Sequence, residues 1–408
     1  MSRWMTYDNG AGDRVGLVDG ETILGLPEGE TLLADIERMT ASGVPDLRIG
    51  EQLRASWDAD RVALAMTQRD LRQKARAKFS SAPALFFTRE GLEQATSERI
   101  ALHRAHRFRG CLMVADLCCG IGGDLMALAS VSDIAHLAAV DLDPVHLRLA
   151  EANVHRAAPG RDVTFMKSDV RDVDSGAIDG VFIDPARRSS SGRFGGITSE
   201  PPLDWAVALE EAVPAVGIKM APGLPHDRVP ENWEMELIAL GPDLKEAVLW
   251  SPALATTTRT ATAIDDTGIH QLQAVPGDPV SLTGPQAGHF LLDPNPAVTR
   301  AGLVEDLARY LGARKIDDDI AFLISGSPMK TPFARSLPIV DALPWHEKKL
   351  RARLKELGAG PVDIRRRGLA GDVDQITKRL RGKGNRRMTI AMTRLAGEPW
   401  AIICDIAQ

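Results

Sequence analysis

Residues 114–124 read VADLCCGIGGD. An apolar run closes at Leu117 and a helical pattern opens in GDLMALAS, so the stretch predicts a strand, a glycine bend and a helix start. Gly120 and Gly122 let backbone come close to a bound ligand where a side chain would block it. The spacing is not GxGxxG, because Leu125 stands where that pattern needs its third glycine, and a dinucleotide fingerprint is a poor fit. Asp116 precedes the bend, where a carboxylate can meet a cationic ligand tail, and Cys118 lies within it.

Downstream, short apolar runs alternate with helical stretches: LAAVDLD, HLRLAEANVHRA, VTFMKSD and DGVFID. That alternation predicts β-α units and a parallel sheet. Asp141 closes the second strand about 25 residues after Asp116, where open α/β folds set a carboxylate against ribose hydroxyls. Asp169 follows the third strand, placed to accept a hydrogen bond from an adenine amino group; Asp184 and Pro185 follow the fourth. Leu142 and Val170, next to two of these acids, are counted with them as cofactor-binding candidates. One Asp after a strand is usually a helix cap. Four in order, together with the glycine bend, predict a single crevice at the switch point of a doubly wound sheet. PAVGIKM supplies a fifth strand, and EMELIAL and KEAVLW read as a closing hairpin, which makes seven strands with the last antiparallel.

This series resembles class I S-adenosylmethionine-dependent methyltransferases over roughly residues 90–260. The resemblance implies a Rossmann-like α/β sheet of seven strands. It gives the bend (Asp116, Cys118, Gly120, Gly122) to the methionine end of S-adenosyl-L-methionine, Asp141 to the ribose, Asp169 to the adenine and Asp184 to the catalytic face. Upstream, FFTREGLEQATSERIALHRAHRF resembles the lead-in of trimethylguanosine synthase-like RNA methyltransferases, with Glu90, Gly91, Thr96, Glu98 and His103 in roughly matching places. The fourth strand departs from amino-directed methylases, whose tetrad carries two prolines and an aromatic ring; this chain has Asp184-Pro185-Ala186-Arg187.

Cysteine placement narrows the chemistry. Methylation at C5 of a pyrimidine needs a cysteine nucleophile, yet after Cys119 the next cysteine is Cys404. Direct transfer to a nitrogen or oxygen is therefore expected, with Asp184 orienting or deprotonating the acceptor. Arg187, Arg188 and Arg193 stand nearby as phosphate contacts.

Over the whole chain of 408 residues the net charge is −6, with 44% hydrophobic and 25% charged residues, the profile of an ordinary globular protein. No apolar run approaches ~18 residues, so no membrane span is expected. With four cysteines and no CxxC pair, neither a disulfide framework nor a metal site is expected, and a reducing cytoplasm fits. The charge is uneven: between His346 and Arg394 stand fifteen Lys and Arg against five Asp and Glu, about +10. Such a segment on an acidic body suggests a module that faces a polyanion. Its helix–strand–helix–hairpin pattern resembles the THUMP-like domain attached to a set of bacterial methyltransferases. That resemblance implies contact with RNA, transfer or ribosomal, through Lys348, Arg351, Arg365, Arg366, Arg367, Lys378, Arg381 and Lys383. Aromatics at 5% favour structured RNA read by shape over single strands stacked on rings.

The expected organisation is a β-hairpin segment at 1–35, where RVGLVDGETILGL flanks an Asp19-Gly20 turn, and a helical region at 36–109. A methyltransferase domain at 110–270 and a THUMP-like α+β basic domain at 290–408 follow, joined through a linker between Ala263 and Pro296. AVTRAGLVEDLARYLG reads as one helix ending at Gly312. Two other readings stay open: a scaffold that binds S-adenosylmethionine and RNA without turnover, and a methyltransferase for a protein or small molecule.

Overall fold

The computed structural model describes residues 6–8, 13–19, 22–189 and 197–406. They form two compact units, 1–220 with 250–254 and 221–249 with 255–408.

The first unit opens with an antiparallel sheet of β1 (Thr6–Asp8), β2 (Asp13–Asp19) and β3 (Thr22–Gly25). Asp19 pairs with Thr22 across the turn read from sequence, whose Gly20 lies outside the described residues. Helices Leu26–Ala41, Asp46–Leu53, Ala59–Ala75, Arg89–Gln94 and Glu98–Ala105 follow. Asp58 caps the third of them by accepting from the Asp60 and Arg61 amides. Leu32, Ile36, Ile49, Val62 and Leu71 bury one face of this region in a core shared with Ile121, Val145 and Leu149. The helical region thus packs onto the glycine bend itself, which fixes that bend from one side.

The parallel strands are β4 (Met113–Leu117), β5 (His136–Asp141), β6 (Val163–Lys167) and β7 (Gly180–Ile183). After a small hairpin of β8 (Ala186–Ser189) and β9 (Ile197–Glu200) comes β10 (Ala215–Met220). β4 lies between β5 and β7, β6 extends one side and β10 the other, all parallel. The chain reverses its direction of winding at β4 and β7, so their C-terminal ends open a crevice there.

Four more strands belong to this sheet: β11 (Glu234–Leu240), β12 (Asp243–Trp250), β13 (Arg259–Asp265) and β14 (Gly268–Gln273). The order is β6-β5-β4-β7-β10-β12-β11-β13-β14. Its first seven strands are those read from sequence, and β13 and β14 are additional. They overturn part of the expected linker, since Ala263 lies within β13 and β14 falls inside the stretch assigned to it. Hydrophobic periodicity does not pick out β13, because threonines alternate with alanines along a strand buried on both faces. Buried Thr260 and Thr262 donate to buried Glu234 and Glu236 on β11, so the pairing is polar.

The second unit contains a second sheet of β15 (Phe290–Pro294), β16 (Arg314–Lys315), β17 (Leu323–Ser325), β18 (Ala334–Pro344), β19 (Ala359–Arg366), β20 (Arg386–Leu395) and β21 (Glu398–Asp405). The order is β16-β17-β15-β18-β21-β20-β19. Helices Glu347–Glu356 and Val373–Leu380 pack on it through Leu350, Leu354, Ile376 and Leu380. The single helix expected up to Gly312 is instead two, Pro296–Arg300 and Val304–Leu311. The break falls at Gly302, whose φ of +69° leaves the helical region, while Gly312 caps the second piece at +62°.

Candidate active site

Between β4 and the helix Gly123–Ala129 the chain turns through three left-handed residues, Cys118 at φ +64°, Gly120 at +54° and Gly122 at +85°. The two glycines differ in purpose. A Cβ on Gly120 would meet nothing within 4 Å, so its surface is open to a ligand. A Cβ on Gly122 would lie 3.0 Å from the Cα of Ala150, so that glycine serves close packing on the helix Pro144–Ala157. The sequence had given both to the ligand. The bend is fixed from outside: Gly120 N–H donates to Asp141 Oδ2 at 2.8 Å, and buried Asn153 donates to the Ile121 carbonyl at 3.0 Å. Gly91, in the lead-in, faces the same bend. A Cβ there would lie 2.4 Å from Ile121 Cγ2.

The charges of the four strand-end carboxylates all reach one side chain. Burial, and then Asp141, Asp184, Asp116 and Asp169 in that order, push the Cys118 thiol up to about 12. One side chain therefore feels the ends of β4, β5, β6 and β7 together. The neighbouring Cys119 thiol is raised well above its ordinary value, by burial first. Neither is a thiolate at neutral pH, which suits packing and not nucleophilic attack.

Asp116 is 1% exposed, and its Oδ2 has no hydrogen-bond partner among the described residues. Burial, then the charges of Asp124 and Asp184, hold its carboxyl well above the usual carboxylate range, against the pull of Arg104. An unpartnered buried carboxylate oxygen calls for a donor, and a cationic one most of all. Because the shift is upward, the folded chain holds a proton that the unfolded chain releases above about pH 3.9, and stability falls as pH rises through that window. Asp116→Asn should therefore be more favourable to thermal stability, relative to the parent, at pH 7 than at pH 4. Equal differences in melting temperature at the two pH values would contradict this.

Asp141 accepts from Gly120 through Oδ2 and from the Asp143 amide through Oδ1 at 2.8 Å. Leu142 beside it is 64% exposed, a bare apolar face at the strand tip. Asp169 accepts from the Arg171 amide at 3.0 Å and caps the one-turn 3-10 helix Val170–Asp172, with Val170 buried. Its capping role is real, and its charge still reaches Cys118 in the bend.

Asp184 has a partner that the sequence did not announce: Lys219 Nζ, from β10, lies 2.5 Å from its Oδ2. Pro185 is buried beside it. Arg104 is a second unannounced residue, 1% exposed, donating to Asp124 with its guanidinium 4.7 Å from the Phe182 ring centre. Arg171, a third, pairs with Glu200 at the base of the β8–β9 hairpin. Arg187 and Arg188 lie on β8, and Arg193 lies outside the described residues.

The basic residues of the second unit divide. Lys348 and Arg351 on the helix Glu347–Glu356, Lys378 on the helix Val373–Leu380, and Arg381 and Lys383 beyond it are exposed. Arg367 is spent internally, which corrects its assignment as an RNA contact. It donates to Asp293 at 2.9 Å and to the Pro294 carbonyl at 3.1 Å, with its guanidinium 5.1 Å from the Phe322 ring centre. The cause is Asp293, a carboxylate 9% exposed that needs a cation. Arg365 lies 3.7 Å from the same carboxylate, and Arg366 donates to the Gly371 carbonyl at 2.7 Å, although both remain exposed.

Among the described residues no helix is long and apolar enough to cross a membrane, and no group of His, Cys, Asp and Glu could hold a metal ion. The residues at the crevice fit S-adenosyl-L-methionine: an open glycine, an unpartnered buried carboxylate oxygen for a cationic end, and an exposed leucine for a flat ring.

Comparison with known proteins reaches the same chemistry. A family model described as THUMP domain-like matches residues 334–405, from the start of β18 to the end of β21, and a domain of unknown function matches 21–75. A protein of Porphyromonas gingivalis W83 named a "putative methyltransferase", known from its crystal structure, shares the fold at a TM-score of 0.71. That match has 19% identity and covers 93% of this chain and 99% of the other. An uncharacterized S-adenosylmethionine-dependent methyltransferase of Mycobacterium tuberculosis, from strains CDC 1551 and H37Rv, is 34% identical over 314 residues. These are 76% of this chain and 84% of the relative. With a relative so similar over so much of its length, the chain belongs to the S-adenosylmethionine-dependent methyltransferases, enzymes whose methyl donor is S-adenosyl-L-methionine.

Proposed function

We propose that this methyltransferase acts on structured RNA, transfer or ribosomal, in a reducing cytoplasm, and moves the methyl group directly to a nitrogen or oxygen. The observation that carries the RNA reading is the solvent-facing basic set Lys348, Arg351, Lys378, Arg381 and Lys383 within a module that resembles THUMP domains. Lys383 stands between two glycines pressed onto the turn 358–360. A Cβ on Gly382 would fall 2.1 Å from the Ala359 carbonyl oxygen, and one on Gly384 would fall 1.9 Å from that of Gly358. Such packing fixes the backbone that carries Arg381 and Lys383.

When bound, the cofactor supplies a methyl group made electrophilic by the sulfonium. The chain's own residues do the rest. Asp116 takes the ammonium end through its open Oδ2, and Gly120 lets that end approach. Asp141 receives ribose hydroxyls while still holding the bend. Leu142 and Val170 border the adenine and Asp169 accepts from its amino group. Asp184 and Pro185 face the acceptor, and Arg187 and Arg188 take phosphates beside it. A covalent cysteine route is disfavoured. Cys118 and Cys119 are kept protonated, and burial in β21, then Asp293, pushes the Cys404 thiol up to about 12.

Modified-nucleoside mass spectra of total RNA from cells with and without the chain test the reading; one methylated nucleoside should vanish. Identical spectra would count against an RNA substrate. Charge reversal at Lys378, Arg381 and Lys383 should weaken RNA binding at low salt and flatten the slope of log affinity against log salt by about 2–3. A parent-like slope in that triple variant would remove this face from the interface.

A further inference from the structure

The parallel pairing of β7 with β10 sets Ile183 opposite Ile218, so the next residues, Asp184 and Lys219, emerge side by side from adjacent strand ends. Lys219 Nζ approaches Asp184 Oδ2 to 2.5 Å. The lysine side chain is 9% exposed and the aspartate 34%, so the cation is buried behind a carboxylate that faces outward. Asp184 Oδ1 has no protein partner among the described residues. Two other titratable groups, Asp116 on β4 and Cys118 in the bend, feel the charge of this carboxylate. A buried ammonium is costly unless paired, and here its partner belongs to the crevice.

We propose that Lys219 is a positioning residue for methyl transfer: it anchors Asp184 by Oδ2, leaves Oδ1 to meet the acceptor, and offsets that carboxylate's charge toward the donor's sulfonium. The inference rests on the reading of Asp184 as the acceptor-facing group. In the transfer, the acceptor's lone pair forms the new bond to the methyl carbon. The carbon–sulfur bond breaks with its electron pair staying on sulfur, which leaves S-adenosylhomocysteine. The proton shed by the acceptor passes to Asp184 Oδ1. Lys219 makes and breaks no covalent bond; it holds the carboxylate still and is replaceable only by another cation.

The sign of the electrostatic effect gives a test that needs no acceptor. With Lys219→Met the carboxylate's charge is no longer offset, so binding of cationic S-adenosylmethionine should tighten by about threefold or more. Binding of neutral S-adenosylhomocysteine should stay within about twofold. Calorimetry with these two ligands on the full chain reads the ratio, and Lys219→Arg should restore it. On RNA from cells lacking the chain, Lys219→Met should lower kcat by about 10- to 100-fold with KM for RNA little changed. Combining it with Asp184→Asn should add almost nothing to the loss from Asp184→Asn alone. If Lys219→Met does not fold, Lys219→Gln takes its place in both measurements. An unchanged ratio of the two affinities, or rate losses that multiply, would overturn the role of Lys219. Absence of transfer by the parent chain would sink the RNA reading alone, because the affinity ratio still decides the lysine.

Discussion

Asp184→Asn should slow methyl transfer by about 10²- to 10⁴-fold, the range a positioned general base supplies, while the affinity for S-adenosylmethionine changes by less than tenfold. Asparagine keeps the shape, and its oxygen can still accept from Lys219, so the end of β7 need not move. What is lost is an anion able to take the acceptor's proton. The cofactor contacts proposed for the other three strand ends are untouched, which is why binding and turnover should separate. A single-turnover rate with RNA and a calorimetric titration without it measure the two sides. If the rate survives, orientation against the methyl group supplies the acceleration without a base, and Asp184 is a binding residue only. If both collapse together, the substitution has disturbed the bend, since the Asp184 amide donates to the Leu117 carbonyl at 3.2 Å.

The strand-end acids could be picked out because each lies at or next to the end of an apolar run, and a parallel sheet sends all such ends to the same edge. Lys219 could not, since PAVGIKM scans as one apolar strand. What matters is register between β7 and β10, strands separated in sequence by a hairpin and a helix. Nor did the charge run after His346 distinguish Arg367 from Arg381. That distinction depends on whether a buried acid, here Asp293, lies within reach. β13 escaped because threonine paired with buried glutamate leaves no hydrophobic signature. Nor does the sequence show that Gly122 packs against the backbone of Ala150 on a following helix. In each case the missing information is a contact between elements distant along the chain.

Arg104→Met should cost about 3–5 kcal/mol of folding stability, the scale expected when one partner of a buried ion pair is removed. Arg104 is 1% exposed, and the side chain of its partner Asp124 is 13% exposed. Methionine fills much of the volume, so the loss reports the stranded carboxylate more than a cavity. Arg104→Lys should recover only part, because an ammonium offers neither the planar fork nor the same stacking on Phe182. Replacing both members, Arg104→Met with Asp124→Leu, should recover more than lysine does, because no buried charge is left without a partner. Urea unfolding of the apo chain measures all three; a loss below about 1 kcal/mol for Arg104→Met would mean that water already reaches the pair. Function should follow stability here for a specific reason. The pair joins the lead-in helix Glu98–Ala105 to the helix that opens from the glycine bend, and Arg104 is the cation that draws the Asp116 carboxyl downward. Without it Asp116 holds its proton more firmly, and S-adenosylmethionine must displace that proton to reach Oδ2. Arg104→Met, if it folds, should therefore bind the cofactor more weakly at low pH than at high, by a wider margin than the parent does.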